Sequence, residues 1–236
     1  MRRTKEQAEK TRQRIVSAAL RVFSRGGIAR TTIGDIAHDA GVTRGAVYWH
    51  FADKQALLRA IRDSVSLPLL DQSDLTLLHD DGAEPLEAVE RFLIAFVRSI
   101  DRDRATRRAL DVMSFKCEYV GDLAIERSAL VRNTNRLLKG LASAYARARR
   151  RGQMRAELTP QVAAIETVAF LSGLVRLLLL ECAGTTLRGR AESVIRAHVQ
   201  SRRAAANGDV ALPCPSAATM MAARTVPQQP SPSEER

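Results

Sequence analysis

Between Thr43 and His50 the sequence T-R-G-A-V-Y-W-H gathers an arginine, two hydroxyl groups, an indole, an imidazole and a glycine into about two helical turns. If this segment is helical, Ala46 and Val47 fall inward, leaving Thr43, Arg44, Gly45, Tyr48, Trp49 and His50 outside. Arginine presents a planar fork of N–H donors that matches guanine edges. Hydroxyl and imidazole groups bond phosphates, and a glycine lets the backbone approach a second surface closely. A helix from Arg44 to His50 is about 10 Å long, enough to lie in a major groove. The same pattern has a plainer reading, a core hairpin on which Tyr48 and Trp49 cap a hydrophobic patch.

The neighbouring segments can hold such a helix in place. Thr32 is placed to cap a preceding helix with Asp35 three residues on, and Ile33, Ile36, Ala37 and Ala40 share one face of it. Gly41 supplies a left-handed residue at its end, Val42 plugs the corner, and Thr43 caps the next helix. An earlier helix, Thr4 to Arg25, carries a stripe of Ile15, Ala18, Ala19, Val22 and Phe23 that can close a small core. Its Arg12, Arg14, Arg21 and Arg25 read either as phosphate contacts or, more simply, as a solvated face. A fourth helix follows Asp53, with Lys54 at its start able to grip phosphate or to serve as an ordinary surface lysine. Pro68 should bend or end it.

Charge distribution suits a polyanionic partner such as nucleic acid, although a basic membrane-surface segment would show the same imbalance. Residues 1–63 carry 13 Lys or Arg against 6 Asp or Glu, a balance of +7 that leaves only +4 of the total +11 for the rest of the chain. At 236 residues, 45% hydrophobic but only 4% aromatic, the chain suits one or two helical domains. The histidines, His38, His50, His79 and His198, are scattered, and Cys117, Cys182 and Cys214 show no metal-ligand spacing. No metal site, cofactor or catalytic residue is expected, since no zinc-protease, nucleophile-elbow or phosphate-loop motif occurs. No apolar run follows the basic first residues, so no secretory signal is expected and a cytoplasmic location is.

Beyond an acidic loop, Asp71 to Glu84, the pattern predicts helices over Leu86 to Ile100, Ala105 to Cys117, Leu123 to Arg149, Val162 to Leu180 and Leu187 to Ala205. Val162 to Leu180 is apolar nearly all round. Its Glu166 and Arg176 argue for a helix buried in a bundle or oligomer rather than a membrane span. With the following helix it could build a four-helix interface between two subunits. The proline-rich stretch 207–236 reads as a disordered tail. The expected class is all-α, with a three-helix helix-turn-helix domain over 1–52 and a helical bundle over 53–206.

The motif T-T-I-G-D-I-A-H-D-A-G-V-T-R-G-A-V-Y-W-H-F-A-D-K resembles the TetR family of bacterial transcriptional regulators. The opening R-R-T-K-E, A-T-R-R at Ala105 to Arg108 and F-K-C-E at Phe115 to Glu118 resemble its branch that represses multidrug efflux operons. The likeness spans roughly Arg2 to Gln200. It implies a homodimer whose recognition helices enter successive major grooves of a palindromic operator on double-stranded DNA. By position it assigns DNA contacts to Thr32, Thr43, Arg44, Gly45, Tyr48, Trp49, His50 and Lys54. It also implies a cavity for an apolar or aromatic small-molecule effector. The walls inferred from helical faces are Phe92, Leu93, Phe96, Leu110, Ser114, Leu141, Val168, Leu171, Ser172, Val175 and Arg176, with plain core as the alternative for each. Arg176 needs a partner, be it Glu166, Glu181, a carboxylate on another helix or a ligand oxygen. Three functions follow: an effector-released repressor, a DNA-organising protein of the same fold without an effector, and, with least support, an enzyme.

Overall fold

The computed structural model describes residues 2–64, 84–117, 124–181 and 184–204, which are helical with no strand among them. The bend expected at Pro68, most of the acidic loop and the tail from Asn207 lie outside the described residues, as do His79, Cys182 and Cys214. Helix α1 (Arg2–Gly26) leads to α2 (Ile33–Ala40) and α3 (Arg44–His50), and α4 covers residues 54–64. Then come α5 (Pro85–Arg102), α6 (Arg104–Asp111), a π-helical turn Val112–Lys116, α7 (Ala124–Arg150), α8 (Pro160–Leu179) and α9 (Gly184–Gln200).

Side-chain caps set the helix starts. Thr32 and Asp35 form a reciprocal capping box. The Asp35 N–H donates to Thr32 Oγ1 at 3.1 Å, and the Thr32 N–H donates to Asp35 Oδ2 at 2.8 Å. Gly41 sits at φ +63 and its N–H reaches back to the carbonyl of His38, so α2 stops and the chain turns into α3. Asp53 accepts from the N–H of Ala56 at 2.7 Å, Asp103 from those of Ala105 and Thr106, and Thr159 from that of Val162, with Pro160 in the first turn.

Two apolar clusters result. The first joins Ile15, Ala18, Ala19 and Phe23 of α1 to Ile36, Val47 and Phe51, and is closed by Leu57, Leu58 and Ile61 of α4 and by Ala109 and Val112. The helix-turn-helix core therefore does not end with α3. It borrows α4 and α6, so the packing does not divide at residue 52. The second cluster packs Leu86, Val89 and Leu93 of α5 against Leu141 and Tyr145 of α7, Leu174 of α8, and Ile195 and Val199 of α9. Helix α8 is the described helix long and apolar enough to cross a membrane. It is not enclosed on all sides: Ala163, Ala164 and Leu171 are buried, but Val162, Ile165, Leu177 and Leu180 form an exposed apolar stripe at 45%, 60%, 44% and 51%. That is the pattern of a helix buried on one face and left without a partner on the other.

Candidate functional site: a helix surface and an apolar cavity

Helix α3 presents its polar groups outward because its inner side is taken by Val47, which is fully buried. Arg44 and Gly45 are exposed, Tyr48 is 51% and Trp49 74% exposed, and the Thr43 hydroxyl caps the helix through the N–H of Ala46. An added Cβ at Gly45 would meet only the Thr43 hydroxyl, at 3.9 Å. The fold itself would thus tolerate alanine there, and the smallness of Gly45 serves whatever approaches from outside. At Gly34 a Cβ would lie 3.4 Å from Thr32 Oγ1 and 4.0 Å from Arg44 Cδ, so this glycine leaves room beside the Arg44 stem. His50 is half-buried, edge-on to Trp49 at 4.5 Å. Burial, and then the Arg12 charge, push its pKa below the usual 6.5, so near neutral pH it offers a neutral N–H rather than a charge.

Several other cations of this region are engaged within the fold. Arg14 Nη2 donates to the Ala40 carbonyl at 2.8 Å, at the carbonyl end of α2. Arg21 and Arg25 both hold the Asp39 carboxylate, at 2.6 and 2.7 Å, which lowers its pKa chiefly through the Arg25 hydrogen bond. Arg12 lies over the Phe51 ring at 5.2 Å. Lys54 departs from both of its sequence readings. Its Nζ donates to the carbonyls of Ile28, Ala29 and Thr31 at 2.9, 3.2 and 2.9 Å, which uses all three ammonium hydrogens to tie α4 to the loop before α2. A phosphate contact by Lys54 is therefore withdrawn, because no donor is left for it.

The second feature is a cavity of about 590 Å³ whose wall is mostly apolar. Helix α5 supplies Phe92 and Phe96, whose rings stand 6.3 Å apart; α6 and the π-helical turn supply Leu110, Met113 and Ser114. Val168, Leu171, Ser172, Val175 and Arg176 of α8 close another side. Leu93 and Leu141 do not reach the cavity and are fully buried in the second apolar cluster. Leu93 is one residue round the helix from Phe92 and faces away, and Leu141 lies a turn beyond Leu137, past the end of the wall. Arg176 pairs with neither Glu166 nor Glu181, nor with a carboxylate of another described helix. Its guanidinium stacks over the Phe115 ring at 4.8 Å, while Glu166 holds Arg202 and Glu181 holds Arg107.

Sequence reading missed a whole wall: Leu58 and Arg62 of α4, and Glu126, Leu130, Asn133, Thr134 and Leu137 of α7. The α7 signal was available, since those five positions recur at i, i+4, i+7, i+8 and i+11. Arg62 Nη1 donates to Glu126 Oε2, an ion pair between distant segments that no local pattern announces. Leu110 and Met113 line the cavity while also packing on the helix-turn-helix core beside Ala109 and Val112. One short element thus belongs to both features, and it contains a π-helical turn, a geometry frequent at functional sites.

Comparison with known proteins gives these two features a shared context. Residues 15–61 match the model of bacterial regulatory proteins of the tetR family, and residues 84–202 match the C-terminal region of MAATS-type transcriptional repressors. The chain belongs to the TetR family. It is 39% identical over 180 residues to the HTH-type transcriptional regulator TtgR of Pseudomonas putida, covering 76% of this chain and 85% of that one. Among solved structures, NalD, the secondary repressor of the MexAB-OprM multidrug efflux pump in Pseudomonas aeruginosa, aligns with a TM-score of 0.75 at 28% identity over 83% of this chain and 98% of that one. A SmeT–triclosan complex aligns with a TM-score of 0.73 at 27% identity over 88% and 100%. As a TetR-family member the protein is a DNA-binding transcriptional regulator, not an enzyme. Its helix-turn-helix is α2 and α3, and among the described residues no cluster of His, Cys, Asp or Glu could hold a metal ion.

Proposed function

We propose that this TetR-family regulator represses transcription by binding a palindromic operator as a homodimer, and that an apolar or aromatic small molecule in the 590 Å³ cavity releases it, with a multidrug efflux operon as its target. One observation carries the reading. The element that lines the cavity with Leu110 and Met113 is also built into the core beneath the DNA-facing helix. A ligand that prefers one arrangement of this element shifts the population of the other, and only that difference in affinity can couple the two sites.

On this reading Arg44 and Gly45 lie against base edges, and Thr32, Thr43, Tyr48 and His50 hold backbone phosphates, with Trp49 beside them. Dimerisation uses the exposed stripe of α8, Val162, Ile165, Leu177 and Leu180, together with Val194 of α9. The two recognition helices would then sit about 34–36 Å apart, one turn of duplex. Work on chromosomal DNA places the protein in the cytoplasm. Proteins that repress a pump, as NalD does, and a relative that takes up triclosan, as SmeT does, support the choice of target and effector class. A DNA-organising protein would have no use for a cavity of this size, which favours the repressor.

Footprinting of the purified protein on the DNA upstream of its own gene, with and without a panel of apolar aromatic compounds, tests this. A protected palindrome lost on adding a compound is the expected result. Protection that persists across the panel, or that covers unrelated DNA equally, would count for the DNA-organising alternative.

A further inference from the structure

Helix α7 carries charge of one sign on its outer side. Its 27 residues include seven lysines or arginines and a single acid, Glu126, which is buried against Arg62. Five of the cations, Arg132, Arg136, Lys139, Arg147 and Arg150, recur at i, i+4, i+7, i+15 and i+18 and so fall within about 80° of one another round the helix. The opposite side bears Leu141, Ala144, Tyr145 and Ala148, all buried in the second apolar cluster, so the basic stripe faces away from the bundle. Arg132, Arg136, Lys139 and Arg150 are exposed and have no hydrogen bond or ion pair among the described residues; Arg147 is half-buried and donates to Ser143 Oγ at 3.2 Å. Neighbouring helices are built differently. On α5 and α9, Arg91, Arg98, Arg188 and Arg196 each meet a carboxylate, from Glu87, Glu192, Asp101 and Glu90 respectively. The carbonyl end of α7 accounts for Arg147 and Arg150 in its last turns, but not for Arg132, Arg136 and Lys139 in its middle, where like charges a turn apart repel. Solubility is served equally by charges of both signs, as on α5 and α9.

The stripe is about 27 Å long and leads away from α3. Helix α7 begins beside Arg62 of α4 and ends where Glu84, before α5, holds Arg203, after α9. Helix α5 starts at that far end and runs back to α6, whose Ala109 belongs to the helix-turn-helix core. The stripe therefore spans the bundle from the DNA-binding half to its opposite end, out of reach of the duplex that α3 faces. Its chemistry suits a polyanion held through its backbone, since guanidinium forks match phosphate oxygens. No large apolar side chain lies between these cations to anchor a protein partner, and the apolar side of α7 is buried in the bundle and cannot enter a lipid surface. Duplex DNA is the polyanion at hand. A protein held on DNA by α3 meets other segments of the same molecule at high effective concentration, where weak, sequence-independent contact suffices. We propose that the basic face of α7 grips the phosphates of a second segment of duplex DNA, so that a protein bound through α3 bridges two stretches. The bridging rests on α3 reading an operator; the α7 surface itself does not, and neither depends on the cavity.

Two titrations of the full-length protein test this. In one, fluorescence anisotropy follows a labelled non-operator duplex at increasing salt. In the other, protein loaded on immobilised operator captures the same labelled duplex from solution. The wild type should bind in both, and more weakly as salt rises. The Arg132→Gln/Arg136→Gln/Lys139→Gln variant should lose capture about tenfold or more and flatten its salt slope by about two to three units, with melting temperature and operator affinity unchanged. Should that variant melt early, the Arg132→Gln/Arg136→Gln pair replaces it. No capture by the wild type, or capture unchanged in the folded variant, overturns the proposal. So does a parallel loss of operator affinity, which would put the stripe in the operator interface. Tighter binding of polyglutamate or of phosphatidylserine vesicles than of the duplex, lost in the same variant, overturns the choice of partner. The anisotropy titration needs no operator. Absence of a selected sequence, with non-operator binding that still weakens in the variant, defeats the operator-reading repressor and leaves the α7 surface standing.

Discussion

Two sets of cations in the DNA-binding half differ in a way that composition alone does not show. Arg12, Arg14, Arg21, Arg25 and Lys54 all have partners inside the fold: an aromatic ring, helix carbonyls, the Asp39 carboxylate and the loop before α2. Arg44 stands exposed on α3 with no hydrogen bond or ion pair among the described residues, beside exposed Tyr48 and Trp49. The first group holds the recognition helix at its angle, and the second is what that angle presents. Positive charge in residues 1–63 is therefore partly scaffold, and a count of basic residues overstates the DNA-contacting surface. The cavity differs, because there the exposed Arg176 rests on Phe115 and the buried Glu126 is held by Arg62, with Arg59 3.7 Å from its other oxygen.

Substitution at Arg44 breaks the contrast most directly. We expect Arg44→Ala to weaken operator binding by about 1–3 kcal/mol for each half-site, hence by far more for the dimer, with no loss of thermal stability. Fluorescence anisotropy on the footprinted operator, paired with a melting curve, measures both. A fall in melting temperature with little change in affinity would place Arg44 in the scaffold group.

Lys54→Met should do the opposite. Losing three carbonyl contacts costs about 1–3 kcal/mol of stability, since partly buried acceptors lose a charged donor. Any loss of operator affinity should follow from loosening of α4 and not from a missing phosphate contact. The salt dependence of binding distinguishes the cases. A lost phosphate contact flattens the slope of log affinity against log salt by about one unit per half-site, whereas Lys54→Met should leave it unchanged.

The same contrast shows what a single sequence discloses. The capping box at Thr32, the left-handed Gly41, the Thr43 cap and the inward Val47 all arise within a few residues of one another, so their spacing suffices to reveal them. The outward face of α3 was legible for that reason. Lys54 was misread because its carbonyl partners lie 23 to 26 residues earlier, and Arg62 drew no reading because Glu126 lies 64 residues later. Leu93 and Leu141 were misplaced for a related cause. An apolar face identifies what is buried, but whether it meets a neighbouring helix or empty space depends on how far apart the helices stand. Arg176 was expected to meet a carboxylate or a ligand oxygen, and among the described residues it lies against an aromatic ring of the π-helical turn.

Acid unfolding separates the two halves of the molecule. His198 on α9 stacks on Phe170 at 3.8 Å and its Nε2 lies 3.1 Å from the Thr167 hydroxyl, which also meets the buried Tyr145 hydroxyl at 2.7 Å. Burial, and then the Arg202 charge, lower its pKa from 6.5 to about 4. Between those values the unfolded chain binds a proton that the folded one refuses. Stability is therefore complete above about pH 6.5 and declines as pH falls towards 4, with no further contribution from this group below that. Asp35 and Asp39 in the DNA-binding half behave differently. Their pKa values are held below 3.8, by the Thr32 hydrogen bonds and by Arg25 respectively, so their contribution is lost only as pH falls below about that value. Urea unfolding at pH 7, 5.5 and 4.5 should show a loss across this window that His198→Gln reduces and Asp39→Asn does not. The same decline in both variants would mean that the acid sensitivity lies outside the Tyr145–Thr167–His198 network.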